Sequence, residues 1–114
     1  AARGLVVTMH CGNLGGQRHG TTEVGRFPAG RSADGAEDLF GNVWEWTASN
    51  FAPYPGFRAW PYAGYSEAWF DGHHRVLRGG SWATRIFALR RSFRNWYVPE
   101  IRQIFAGFRL ARDL

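Results

Sequence analysis

The chain has 114 residues, 45% hydrophobic and 17% aromatic, with a formal net charge of +5. That length allows one domain, or part of a larger one, with a modest core, and no apolar run approaches the roughly 20 residues of a membrane span. All fourteen basic side chains are arginine, nine of them within residues 75–114 against Glu100 and Asp113; without lysine runs or low-complexity tails, they read as forks that bind loop carbonyls and carboxylates rather than as a nucleic-acid surface.

Residues Ala1 to His10 carry an apolar patch too short and too weakly flanked for a signal peptide. Cys11 is the single cysteine, so no intrachain disulfide is possible and a reducing, cytoplasmic setting is expected. His10 beside it makes a nucleophile–base pair conceivable, but sequence neighbours seldom have the required geometry, and a plain thiol is expected. Residues 10–37 are glycine-rich loop, with one short strand expected in Thr22–Pro28. Val43-Trp-Glu-Trp-Thr47 alternates bulky and polar residues as a half-buried strand does. Residues 48–74, with Tyr54-Pro-Gly-Phe57 and Trp60-Pro-Tyr62, form a long irregular loop whose aromatic density predicts order.

Arg75-Val-Leu-Arg78 reads as a strand, broken at Gly79-Gly80 where the backbone must bend or pass close to another segment. Arg85 to Arg94 is a short mixed segment, and Ile104–Leu110 a final strand with Gly107 marking a bulge. Trp44, Trp46 and Trp82 are expected in the core, as are most of Phe57, Trp60, Tyr62, Trp69 and Phe70, standing in for the missing aliphatic residues. Arg78 and Arg109 are expected to be buried and structural. These elements predict a small, loop-rich, twisted β-containing domain with little helix.

Two groupings could bind metal. Asp38, Gly41, Val43 and Glu45 combine two carboxylates with intervening loop carbonyls, a set of oxygen ligands that suits Ca²⁺. The alternative is that Glu45 pairs with an arginine such as Arg78 or Arg109. His10, His19, His73 and His74 are the only imidazoles. Three histidines can hold iron or zinc, but these lack a ligand spacing and read as surface or supporting residues.

Three blocks carry a resemblance: Asp38-Leu-Phe-Gly-Asn-Val-Trp-Glu-Trp-Thr47, Val76-Leu-Arg-Gly-Gly-Ser-Trp82 and Phe105-Ala-Gly-Phe-Arg-Leu-Ala111. In this order they resemble the formylglycine-generating/sulfatase-modifying factor superfamily. The resemblance implies an α+β, C-type-lectin-like fold with short twisted antiparallel strands. Residues 1–114 would be the C-terminal part of such a domain, without the N-terminal iron-binding helical domain. It also implies a structural Ca²⁺ at Asp38, Gly41, Val43 and Glu45.

Formylglycine-generating oxidases need two cysteines near the C-terminus, and Arg91–Phe105 has none. The blocks Arg94-Asn-Trp96 and Arg102-Gln-Ile-Phe-Ala-Gly-Phe108 instead resemble ergothioneine-type sulfoxide synthases; selenium-using relatives share much of this signature. That resemblance implies an iron(II)- and oxygen-dependent enzyme joining a thiol to N-α-trimethylhistidine, with iron held by histidines of a segment or partner chain outside this one. The isolated chain is then expected to show no turnover.

By the same resemblance Asn95 and Trp96 contact the trimethylhistidine, an amide suiting its carboxylate and an indole face its quaternary ammonium. Tyr97 and Ile101 stand where γ-glutamylcysteine users carry an acid and an arginine, which favours free cysteine or another small thiol. Tyr54, Tyr62 and Tyr65 are candidates for the family's proton-donating tyrosine. A non-catalytic reading also exists: retroelement-diversified lectin-like binding proteins carry Arg-Gly-Gly-Ser-Trp and similar closing blocks, but with Asn-, Tyr- and Ser-rich residues between them.

Overall fold

The computed structural model describes residues 6–112; the reading of Ala1–His10 as no signal peptide falls partly outside this range. Four strands form one sheet: β1 (Trp44–Asn50), β2 (Arg75–Arg78), β3 (Asn95–Tyr97) and β4 (Ala106–Gly107), in the order β3-β2-β1-β4. β1 and β2 are antiparallel, with Glu45 opposite Arg78 and Trp46 opposite Leu77. β2 and β3 are antiparallel, with Val76 opposite Trp96. β4 runs parallel to β1, with Trp44 opposite Ala106.

The sheet is therefore mixed rather than wholly antiparallel. Two antiparallel steps leave β3 running in the same sense as β1, and residues 98–105 return the chain to the far edge to start again in that sense. A two-residue β4 makes the return short. Among the described residues, helix is confined to α1 (Ala63–Ser66) and two 3-10 turns, Pro28–Gly30 and Ile86–Ala88.

No strand forms over Thr22–Pro28. The reason is visible at Thr22, where a side chain replaces a neighbouring strand. The Thr22 N–H donates to Asn42 Oδ1 at 2.9 Å, and Asn42 Nδ2 donates back to the Thr22 carbonyl at 3.0 Å. Asn42 stands at φ 65° and Gly41 at φ 81°, a left-handed pair that turns the chain sharply into β1.

The core is small and mostly aliphatic. Leu14, Phe40 and Leu89 form its centre, with Val7, Met9, Leu39 and Trp44 packed around them. On β2 both Val76 and Leu77 are buried, so both faces of this strand are covered. Burying a leucine such as Leu14 or Leu77 contributes about 2 kcal/mol. The expectation of an aromatic core is corrected: Trp44, Trp46 and Trp82 are half-buried, while Trp60 is 80% exposed and Phe57, Tyr62 and Trp69 are also exposed. Those four lie on the long loop, over which no second layer packs among the described residues. Arg109, expected to be buried, has 39% of its side chain exposed, and Arg78 is half-buried.

Candidate functional site

The turn into β1 gathers Asp38, Gly41, Val43 and Glu45 around one cavity of about 270 Å³, with Arg109 on its wall. Glu45 is not free. Arg109 Nε donates to its two carboxylate oxygens at 2.9 and 2.8 Å, and Nη2 also reaches Oε1. The remaining guanidinium donors bind the main-chain carbonyls of Glu37 at 2.8 Å and Asp38 at 3.1 Å. Of the two arginines weighed for Glu45, the partner is Arg109. The bond to Glu45 raises the Arg109 pKa, against the opposing effect of burial.

Asp38 is different. The residue is buried at φ 50°, and its Oδ2 lacks a hydrogen-bond partner. Burial raises its pKa, while the Gly25 N–H and the Arg109 charge pull it down. A buried, unsatisfied carboxylate oxygen is costly, and it is the feature here that fits a hard cation. Glu45 fits one less well while both its oxygens face Arg109. Among the described residues, no three His, Cys, Asp or Glu side chains come close enough to hold a metal without main-chain ligands.

Asn95, Trp96 and Tyr97 form β3, at the sheet edge, and all three are half-buried. Alternation along a strand sends Trp96 to one face and Asn95 and Tyr97 to the other. Trp96 stacks on Phe51 with centroids 4.4 Å apart and planes 10° from parallel. Phe51 also packs against Phe70 at 5.1 Å, so one indole face is already occupied. Asn95 Oδ1 accepts from the Trp96 N–H at 3.0 Å.

Of the three tyrosines, Tyr54 is tied to the approach to β3. Its hydroxyl donates to the Ser92 carbonyl at 2.9 Å, and the Arg94 guanidinium lies 3.7 Å from its ring centroid. Arg94 also sits over Phe51 at 4.8 Å and donates to the Ala52 carbonyl at 2.6 Å. Tyr62 and Tyr65 pair with each other at 6.1 Å and are exposed. The linking role of Arg94 carries no sequence signal beyond its place before Asn95.

His74 is half-buried, with Nδ1 2.8 Å from Asp71 Oδ2 and the Trp69 ring edge-on at 5.2 Å. Asp71 Oδ1 also accepts from the N–H groups of His73 and His74. These bonds, the His74 side chain first, hold the Asp71 carboxyl well below its ordinary range. His10 and His19 are exposed, His19 with its ring edge-on to Trp82 at 6.4 Å. Cys11 is buried, its thiol bonded to Thr8 Oγ1 and the Val6 carbonyl, each at 3.3 Å. No helix among the described residues is long and apolar enough to cross a membrane.

The chain is 57% identical over 102 residues to a protein named hercynine oxygenase from Mycobacterium tuberculosis, an alignment covering 90% of this chain and 24% of that protein. It is 53% identical over 106 residues to a hercynine oxygenase from Mycolicibacterium smegmatis, covering 90% and 25%. It is 43% identical over 76 residues to ergothioneine biosynthesis protein 1 from Neurospora crassa, covering 65% and 9%. The chain thus spans about a quarter of the length of these mycobacterial relatives. Residues 9–114 match the sulfatase-modifying factor enzyme 1-like domain, and the chain belongs to that family.

Proposed function

We propose that this chain is the substrate-facing C-terminal part of an iron(II)- and oxygen-dependent sulfoxide synthase, acting in ergothioneine biosynthesis on trimethylhistidine and a thiol. The observation that carries the reading is the 57% identity to a hercynine oxygenase over 90% of this chain. The Arg94-Asn-Trp96 block lies within the half of the chain that holds β2, β3 and β4. The fold would be C-type-lectin-like and the compartment cytoplasmic.

Iron(II), held by histidines outside this chain, would supply oxygen activation. The chain's own residues would bind and orient. Phe51 covers one face of Trp96, which fixes the ring and leaves the other face to meet a quaternary ammonium. Asn95 lies on the opposite face of β3, so its side chain would donate its N–H around the open strand edge to the substrate carboxylate, while its oxygen accepts from the Trp96 backbone. Arg94 and Tyr54 would steady this edge from below, through the stacked guanidinium and the bond to Ser92. Of the three candidate tyrosines, Tyr54 has these ties. Tyr97 and Ile101 would shape the thiol pocket and offer no salt bridge to the charged groups of γ-glutamylcysteine, which favours cysteine or another small thiol. A structural Ca²⁺ would sit on Asp38, the Gly41 and Val43 carbonyls and, once Arg109 yields it, Glu45.

A chimera tests this. The matching 102 residues of the M. tuberculosis hercynine oxygenase are replaced by those of this chain, and sulfoxide product is measured with iron(II), oxygen, trimethylhistidine and either thiol. Product from cysteine, lost on Asn95→Ala and Trp96→Ala and redirected to γ-glutamylcysteine by Tyr97→Asp with Ile101→Arg, is the expected result. A folded chimera without product from either thiol, or one indifferent to both single changes, would reject the reading.

A further inference from the structure

On the face of the sheet that carries Glu45 and Arg78, a cavity of about 210 Å³ is lined by three guanidinium-bearing residues, Arg78, Arg90 and Arg91, together with Gly79, Leu39 and Glu45. Arg78 stands directly across from Glu45 in the β1–β2 register. In most sheets such a cross-strand pair would be the salt bridge. Here Arg109 holds both Glu45 oxygens, and Arg78 donates instead to the Arg91 carbonyl.

The one carboxylate lining the cavity, Glu45, is thus already matched by Arg109, and the three arginines have no anion of their own there. Among the described residues the ion pairs are Arg31–Glu37, His74–Asp71 and Arg109–Glu45. None includes Arg78, Arg90 or Arg91. Arg90 and Arg91 are exposed at the rim of the hollow beside Arg78, and like charges gathered there are relieved when an oxyanion binds among them. Each guanidinium also offers a planar fork of donors that matches two oxygens at once. Arg78 lines a second, adjoining cavity as well, with Arg94 and the Thr47, Ser49 and Tyr54 residues.

We infer that the hollow between Arg78, Arg90 and Arg91 is a binding site for a small oxyanion, a carboxylate or phosphate group of a soluble ligand. The inference is independent of the synthase reading: it uses none of Asn95, Trp96 or Tyr97.

Titration of the 114-residue chain with inorganic phosphate, and separately with succinate, at constant ionic strength tests it by calorimetry. Saturable binding is expected, weakened about tenfold by Arg90→Gln with Arg91→Gln, both exposed residues. A charge-matched control, Arg18→Gln with Arg58→Gln, also both exposed, should stay within about twofold, since screened long-range charge alone has little reach. Displacement of phosphate by succinate would assign a carboxylate ligand, and phosphate binding alone a phosphorylated one. No saturable binding of either anion, or equal losses in the two double variants, would overturn the site.

Discussion

Arg109 grips Glu45 across 64 residues of chain, with Nε held between both carboxylate oxygens at 2.9 and 2.8 Å. The same guanidinium reaches the Glu37 and Asp38 carbonyls, so one side chain after β4 fastens the turn before β1.

Removing that fork should cost about 1–3 kcal/mol, because a charged pair and two carbonyl bonds are lost while the partly exposed site lets water compensate in part. Arg109→Ala should lower the urea midpoint by the corresponding amount. Arg109→Lys should recover only part, since an ammonium cannot span carboxylate and carbonyls together. A midpoint unchanged in Arg109→Ala would mean the clamp is ornamental to stability.

Asp38 bears a cost that should change sign with calcium. Its folded pKa lies above the ordinary 3.8, so the buried carboxylate is least welcome above the folded pKa. The strain lessens as pH falls through that value towards 3.8. In metal-free buffer at pH 7, Asp38→Asn should therefore raise the melting temperature, and asparagine tolerates the φ of 50° found there. With calcium present the wild-type chain should gain stability and the variant should not. A calcium-dependent gain of equal size in both would remove Asp38 from the proposed ligand set.

Asp71 runs the other way. Its folded pKa is held below the ordinary value by His74 and two backbone N–H groups. The stabilisation is present above about 3.9, the unfolded value, and fades as pH falls from there through the folded pKa. Asp71→Asn keeps an oxygen for the His73 and His74 N–H groups but removes the charge. The variant should show a flatter decline in melting temperature between pH 4 and pH 2, and a decline as steep as the wild type's would contradict the assignment.

Gly41 and Gly56 separate backbone conformation from close approach. Both have φ near 80°, but a Cβ on Gly41 would strike the Asn13 carbonyl and Leu14, whereas one on Gly56 would meet open space. Gly56→Ala should cost about 1 kcal/mol for the left-handed backbone alone. Gly41→Ala should exceed it clearly, by about 2 kcal/mol or more, as read from denaturant midpoints.

The strands legible in the sequence were those with a side-chain period or a run of β-formers. Val43–Thr47 alternates, and β1 begins within it; Arg75–Arg78 coincides with β2. β3 was not legible, because three residues hold no period and Asn95-Trp-Tyr97 reads first as a binding motif. β4 falls inside the final strand expected over Ile104–Leu110 but spans two residues, with Gly107 directly opposite Glu45 rather than in a bulge, and its parallel pairing depends on the crossover of residues 98–105, which no local pattern encodes. Thr22–Pro28 looked like a strand because nothing in it announces that Asn42, twenty residues on, will satisfy Thr22. At the calcium candidate, the sequence grouped four residues that do line one cavity. It left two arginines open as partners of Glu45, since pairing over 64 residues is a tertiary choice.

The placement of β4 has a consequence for how the chain comes to exist. Among the described residues, Trp44 and Glu45 gain their outer neighbours from Ala106 and Gly107, and Glu45 its counter-ion from Arg109. During synthesis, a ribosome that has released everything up to β3 has released a sheet whose β1 edge is still unpaired, with an unneutralised carboxylate on it. Residues 106–109 act as a latch, and until they emerge this sheet remains an open client for chaperones and proteases.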